Sequence, residues 1–264
     1  MGSLLRAEQT GPRLTLTLDD ARRQNALSVE MIESIDHALE GAPHDLAALV
    51  IQGANGVFSA GADLKSLAEA LAKPLACGET DALQTLNAAG GRFFARFAAL
   101  PFMTIAVVDG AAVGGGMGLA AASDVVIATP RARFALTETS LGIPPAQIAP
   151  YLAHRLGERV ARRLAMTGAR IEGREAETLG LADFYCGSDA ERDAKVEALL
   201  QSVERCASGA NAETKRLFRL TRSTTPEAYI DAAAKSFAEA LRGPEGREGI
   251  AAFLAKRAPT WRRL

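Results

Sequence analysis

The sequence predicts an α/β fold with a helical tail, on three observations. First, short apolar runs, "LAALVIQGAN", "MTIAVVDG" and "DVVIAT", each end in glycine, asparagine or another turn residue, as buried parallel strands do. Second, helical patterns separate these runs, which is the alternation of right-handed β-α-β units on a parallel sheet. Third, beyond about residue 158 every segment reads as a helix broken by glycine and proline. The expected organisation is an α/β core over residues 1–200 and a C-terminal helical region over 201–264.

The elements follow in order. "RLTLTLDD" (13–20) alternates polar and apolar residues, as expected of a half-exposed strand near an edge. Ser28 is an N-cap candidate for a helix whose stripe is Met31, Ile32, Ile35 and Leu39. "LAALVIQGAN" is a strand, and "VFSAGADLKSLAEAL" turns sharply into a helix. "TDALQTLNAAGGRFFARFAALP" is a long amphipathic helix ending before Pro101. "MTIAVVDG" leads through "GGGMG" (114–118) into an alanine-rich helix, and "DVVIATPRARFAL" is two short strands around a proline turn. Residues 208–211 are expected to form a loop.

Composition excludes several function classes. With 23% charged residues and a net charge of −1, the chain has no nucleic-acid or membrane-surface footprint. Arginine clusters at 155–163 and 262–263 read as solvated faces. The three cysteines, Cys77, Cys186 and Cys206, lie far apart without metal-ligand spacing, which fits a reducing, cytoplasmic setting. The N-terminus carries no signal-like apolar core and no run approaches a membrane span.

Two segments share one design: a buried strand, a small-residue turn and a helix start. They are "FSAGAD" (58–63) and "GGGMG". Backbone N–H groups at such turns are unsatisfied donors at the positive end of a helix dipole. Two of them aimed at one oxygen would stabilise an enolate or a tetrahedral oxyanion. Either turn alone reads rather as a site of close helix–strand packing. A dinucleotide fingerprint fits loosely through Gly116, Gly118 and Ala121, but "DVVIAT" does not end in the acidic residue that holds a ribose. No P-loop triplet and no G-x-S-x-G elbow occur.

Six fragments in this order resemble the crotonase family, also called the enoyl-CoA hydratase/isomerase family. They are "QNAL" (24–27), "FSAGADLK" (58–65), "DGAAVGGGMGLAAASD" (109–124), "ARFALTETSLGIPP" (132–145), "RRLAMTGARIEGREAETLGLAD" (162–183) and "EGREGIAAFLAKRAPTW" (245–261). The resemblance implies a spiral of β-β-α units with a C-terminal helical trimerisation region, hence a homotrimer or dimer of trimers. It implies an acyl-CoA thioester as substrate, with no metal and no cofactor beyond the coenzyme A of the substrate itself. Position by position, the thioester oxygen would be held by the N–H groups of Ala62 and Gly115, with Ala60, Asp63, Gly114, Gly118 and Leu141 as substrate-binding residues around them. Lys65 would meet a CoA phosphate, and Phe253 and Lys256 would reach the CoA from a neighbouring subunit.

Family hydratases typically use two glutamates. The first falls at Gly118 here; the second, fourteen residues after Asp124, falls at Glu138. Glu138 is therefore the expected acid/base, in an apolar surround of Phe134, Leu136, Leu141 and Ile143 that should raise its pKa. The space above Gly118 is expected to be filled by substrate or by Met117 and Leu141.

The Gly118–Leu119 pair and "SLGIPPAQIAPYLAHRLGERVARRLAMTG" look most like the bacterial branch that hydrates branched glutaconyl-CoA esters, such as 3-methylglutaconyl-CoA and its isohexenyl homologue. "GIPP" is also similar to the feruloyl-CoA hydratase/lyases, whose pocket tyrosines find no clear match in Tyr151, Tyr185 or Tyr229. Residues 66–96 would line the acyl pocket, with Arg92 and Arg96 as carboxylate partners. Asp124 is expected to brace a helix end, and His37, His44 and His154 match no catalytic pattern. Ala21 replaces the usual proline before "QNAL" and should loosen that loop. Rival readings are an enoyl-CoA isomerase, which needs only one carboxylate, and a non-catalytic acyl-CoA-binding trimer.

Overall fold

The computed structural model describes residues 4–43, 45–73 and 81–262, so His44, Cys77 and Arg263 lie outside the described residues. The chain opens with a hairpin of β1 (Leu5–Thr10) and β2 (Arg13–Leu18), followed by α1 (Val29–Glu40). Ser28 caps α1 by accepting from the Met31 N–H, and Met31 and Ile35 fill its buried face. Then come β3 (Ala48–Gly53), β4 (Val57–Ser59), α2 (Leu64–Leu71) and α3 (Ala82–Ala98). The pattern repeats as β5 (Met103–Val108), β6 (Ala111–Val113) and α4 (Gly115–Ala122), and again as β7 (Val125–Ala128) and β8 (Arg133–Ala135). A 3-10 turn at Glu138–Leu141 leads into α5 (Ala149–Leu156) and α6 (Glu158–Thr167). After β9 (Arg170–Glu172), α7 (Gly173–Thr178) and β10 (Phe184–Tyr185), the chain is helical. Its last elements are α8 (Asp189–Glu204), α9 (Ser208–Leu220), α10 (Pro226–Arg242) and α11 (Pro244–Leu254).

Each β-β-α repeat places its first strand in one sheet and its second in another. The six-stranded sheet runs β1-β2-β3-β5-β7-β10, parallel from β2 onward; the four-stranded sheet runs β4-β6-β8-β9. The strands β3, β5 and β7, apolar but for Gln52 and Thr104, lie inside the larger sheet, covered on both faces, which is why their sequences do not alternate. Phe58, Phe93, Phe97 and Phe134 are fully buried between the layers. No helix among the described residues is long and apolar enough to cross a membrane.

Three expectations are corrected. β2 lies near the edge of its sheet as expected, but four of its six residues are buried rather than half being exposed; residues 5–10 form the edge strand outside it, and only Leu5 of that strand is buried, so its apolar signal is weak. The segment past residue 158 is not purely helical, since β9 and β10 add a short strand to each sheet. Residues 208–211 are the first turn of α9 rather than a loop. The carboxylate that satisfies this turn is remote in sequence: Glu245 accepts from the N–H groups of Gly209 and Ala210, each at 3.0 Å.

Candidate active site

The two small-residue turns meet. Leu27 donates its N–H to Gly61 O at 2.7 Å and Ala60 donates to Gln24 O at 3.0 Å, tying the first turn to residues 24–27. Gly61, at φ +88, has no room for a side chain: a Cβ there would lie 2.5 Å from Val113 O and 2.9 Å from Gly115 N. A Cβ on Gly115 would in turn lie 3.5 Å from Ala62 N. The N–H groups of Ala62 and Gly115 are thus neighbours from two different turns. Neither donates to a protein acceptor among the described residues. Gly115 is the first residue of α4, so its N–H is one of the donors that a helix start leaves open.

The loop carrying Leu27 is firm despite Ala21. Asn25, 1% exposed, adopts a left-handed φ of +56 and donates its side-chain amide to Val57 O at 2.7 Å, while its Oδ1 accepts from Asp20 N at 2.8 Å. These bonds brace the loop from a buried side chain.

Glu138 leans over the second turn. A Cβ on Gly114 would fall 2.7 Å from Glu138 Oε1, so only glycine lets the carboxyl approach α4 this closely. Glu138 Oε2 is buried with no hydrogen-bond partner among the described residues. Desolvation raises the pKa of Glu138; the backbone amides of Glu138 and Thr137 offset part of the rise. The surround is less closed than expected: Phe134 and Leu136 are buried, but Leu141 is 56% and Ile143 43% exposed.

Gly118, in the place of the usual first glutamate, faces neither Met117 nor Leu141. A Cβ there would lie 2.3 Å from Ile148 Cγ2. Ile148, 4% exposed, occupies that space, whereas Met117 points into the core and Leu141 faces out. Ile148 was not singled out in the sequence; its signal was an isolated β-branched residue inside "PPAQIAP".

The remaining candidates separate. Asp63 caps α2, accepting from Lys65 N at 3.1 Å and Ser66 Oγ at 2.8 Å, so its carboxylate is engaged in the fold. The Lys65 side chain is exposed, with Glu69 as its neighbour at 3.9 Å. Phe253, 81% exposed, and Lys256 stand on and just after α11, which packs on α10. Arg96 pairs with Asp36 on α1, and Arg92 is exposed. Asp124 braces β5 and α9, accepting from Thr104 N at 2.8 Å and Lys215 Nζ at 2.6 Å.

The chain matches the family model for enoyl-CoA hydratase/isomerase over residues 13–263. The protein belongs to the enoyl-CoA hydratase/isomerase family. Among family members, 2,3-dehydroadipyl-CoA hydratase of Escherichia coli is 31% identical over 252 residues, 94% of each chain. The structure of AtuE from Pseudomonas aeruginosa is 42% identical, with a TM-score of 0.92 over 99% of this chain and 100% of that one. An enoyl-CoA hydratase/isomerase from Marinobacter aquaeolei is 38% identical, with a TM-score of 0.93 over 98% and 99%. The spiral of β-β-α units followed by C-terminal helices is the fold this family shares.

Proposed function

We propose that this family member adds water to the double bond of a branched or carboxylated 2-enoyl-CoA, such as 3-methylglutaconyl-CoA or isohexenylglutaconyl-CoA. The observation that carries the reading is the meeting of two open N–H groups, Ala62 and Gly115, with the orphaned buried oxygen of Glu138. The two N–H groups hold the thioester oxygen and draw electron density from the C2–C3 bond, so C3 becomes electrophilic. Glu138, ionised, takes a proton from a water molecule as that oxygen bonds to C3. The proton then passes to C2, which restores the carboxylate and completes hydration. A carboxyl with a raised pKa suits both halves of this exchange near neutral pH. The relative named for 2,3-dehydroadipyl-CoA, an ester of a dicarboxylic acid, supports a carboxylated substrate.

The acyl-CoA would be held by a homotrimer or dimer of trimers. The exposed Phe237 and Leu241 of α10 and Phe253 of α11 support this assembly, since apolar faces of this kind need a partner surface. Hydration is tested by incubation with linear, branched and glutaconyl-type enoyl-CoA esters, following loss of the conjugated thioester absorbance. Glu138→Gln should abolish most of that loss. Migration of a 3-enoyl double bond into conjugation without water uptake would instead favour the isomerase, to which a single carboxylate is also suited. Tight ester binding without turnover, unchanged in Glu138→Gln, would favour a binding protein.

A further inference from the structure

Resting on the hydratase reading, we infer that Gln147 and Asn87 form an amide bridge that receives the distal carboxylate of the acyl chain. The two guanidinium groups of α3 do not take this role. Along α4, Gly114 carries Glu138 and Gly118, one turn further, carries Ile148. Gln147 precedes Ile148 and crosses to α3, where its Nε2 donates to Asn87 Oδ1 at 2.7 Å. A Cβ on Gly91 would lie 2.3 Å from Gln147 Oε1, so the missing side chain at Gly91 makes the notch in which the glutamine sits. Asn87, Gly91 and Phe94 recur at helical spacing on one face of α3, and Phe94 meets Tyr151 of α5 at 6.0 Å between ring centres. Arg96 lies on the opposite face, paired with Asp36.

Distance supports the placement. Gly118 lies three residues beyond Gly115, about 4.5 Å along the helix axis. A five-carbon acyl chain held by its thioester oxygen at Gly115 spans about 5 Å over four bonds of about 1.5 Å. Laid along α4, its far end would reach the level of Ile148, the neighbour of Gln147. The bridge uses one N–H of Gln147, which leaves the other N–H of Gln147 and both of Asn87 as donors. Ile148 supplies the apolar wall for the carbons or for a methyl branch.

The test uses two saturated esters that cannot be hydrated, glutaryl-CoA and valeryl-CoA, so binding reports the bridge whatever the reaction. By calorimetry the parent should prefer glutaryl-CoA, and Gln147→Leu should weaken that ester about 10- to 100-fold, the range for bonds to a charged group. Valeryl-CoA should change by less than about threefold on the same scale. Gln147→Glu keeps the side-chain shape but replaces the donor to Asn87 Oδ1 with a carboxylate, to which the Asn87 amide must turn its N–H, and it repels an acyl carboxylate, so it too should lose glutaryl-CoA selectively. A parent without preference, or a folded Gln147→Leu variant that weakens both esters alike, overturns the inference. Absence of hydration with glutaryl preference intact would sink the hydratase reading and leave the bridge standing.

Discussion

Gly118→Ala is the sharpest probe of the site, because helix propensity and packing predict opposite signs. In a helix interior alanine is favoured over glycine by about 1 kcal/mol. Here the added Cβ would lie 2.3 Å from Ile148 Cγ2 and 2.8 Å from its Cβ. Ordinary carbon contacts are about 3.5–4.0 Å, so one side must yield by more than about 1 Å. Ile148 cannot swing freely: it is 4% exposed, and its carbonyl accepts from Tyr151 and Leu152 at the start of α5. Overpacking of this kind costs about 1–3 kcal/mol, and so deep an overlap belongs in the upper half. Net of propensity, the variant should be destabilised by about 1–2 kcal/mol, a fall of roughly 2–8 °C in Tm for a domain of this size. Ile148→Ala alone should cost about 2–5 kcal/mol through its cavity. In the double variant the new Cβ enters cleared space, so the two losses should not add, with a coupling above about 1 kcal/mol. Urea melts on the four proteins, at constant m, measure this. Additivity within about 0.5 kcal/mol would refute the assignment of Ile148 to the space at Gly118. The same contact makes Gly118→Glu impair turnover of crotonyl-CoA; a folded variant faster than the parent would contradict it.

Other consequences can be checked directly. Gly115→Pro removes one N–H at a helix position that accepts proline, and should lower kcat on the order of 10²–10³; Gly115→Ala, whose Cβ meets nothing closer than 3.5 Å, keeps the N–H and should stay near the parent. A folded Gly115→Pro enzyme with near-parental kcat would remove Gly115 from the oxyanion site. The pKa of Glu138 is raised on folding, so its ionised form destabilises the protein above that raised value and has no effect below about 4.5. Glu138→Gln should therefore raise Tm at pH 7–8 but not near pH 4, and the acid limb of the parent's pH–rate profile should lie above the ordinary carboxylate range; equal melting shifts at both pH values would count against a desolvated carboxyl. Light scattering should find a trimer or hexamer at micromolar concentration, and a stable monomer would remove Phe253 and Lys256 from any site on a neighbouring subunit.

Much of this was legible in the sequence, for identifiable reasons. β3, β5 and β7 announced themselves because buried parallel strands leave long apolar runs. Ser28 was readable as a cap because capping is local. The two turns were readable because strand, glycine and helix follow one another within a few residues. β1 was not, since a strand with one buried residue has no apolar period. The first turn of α9 was hidden because Glu245, which satisfies it, is 36 residues away. Ile148 and Gln147 were hidden for the same reason: what they meet, Gly118 and Gly91, is fixed by the packing of α3, α4 and the segment before α5. Arg92 and Arg96 stood out by charge alone, and the pairing of Arg96 with Asp36 of α1 is set by packing that the sequence does not display.

The geometry also weighs against a pyrophosphate at "GGGMG", although its glycines allow that reading. A phosphate at the start of α4 would want several N–H groups of one turn and no anion beside it. Here the carboxyl of Glu138 already lies against Gly114, its Oε1 2.7 Å from where a Cβ would stand. The open donor of this turn, Gly115, has a neighbouring open donor from the other turn, Ala62, an arrangement that suits one shared oxygen better than a chain of phosphates. A permanent dianion beside a desolvated carboxylate would be repelled. An oxygen that is negative only while the carboxyl holds its proton would not. The four glycines thus answer separate constraints: an approaching carboxyl at Gly114, an open N–H at Gly115, the Ser59 carbonyl 2.3 Å from a Cβ at Gly116, and Ile148 at Gly118. Together they fit transient charge on a thioester better than the fixed charge of a nucleotide.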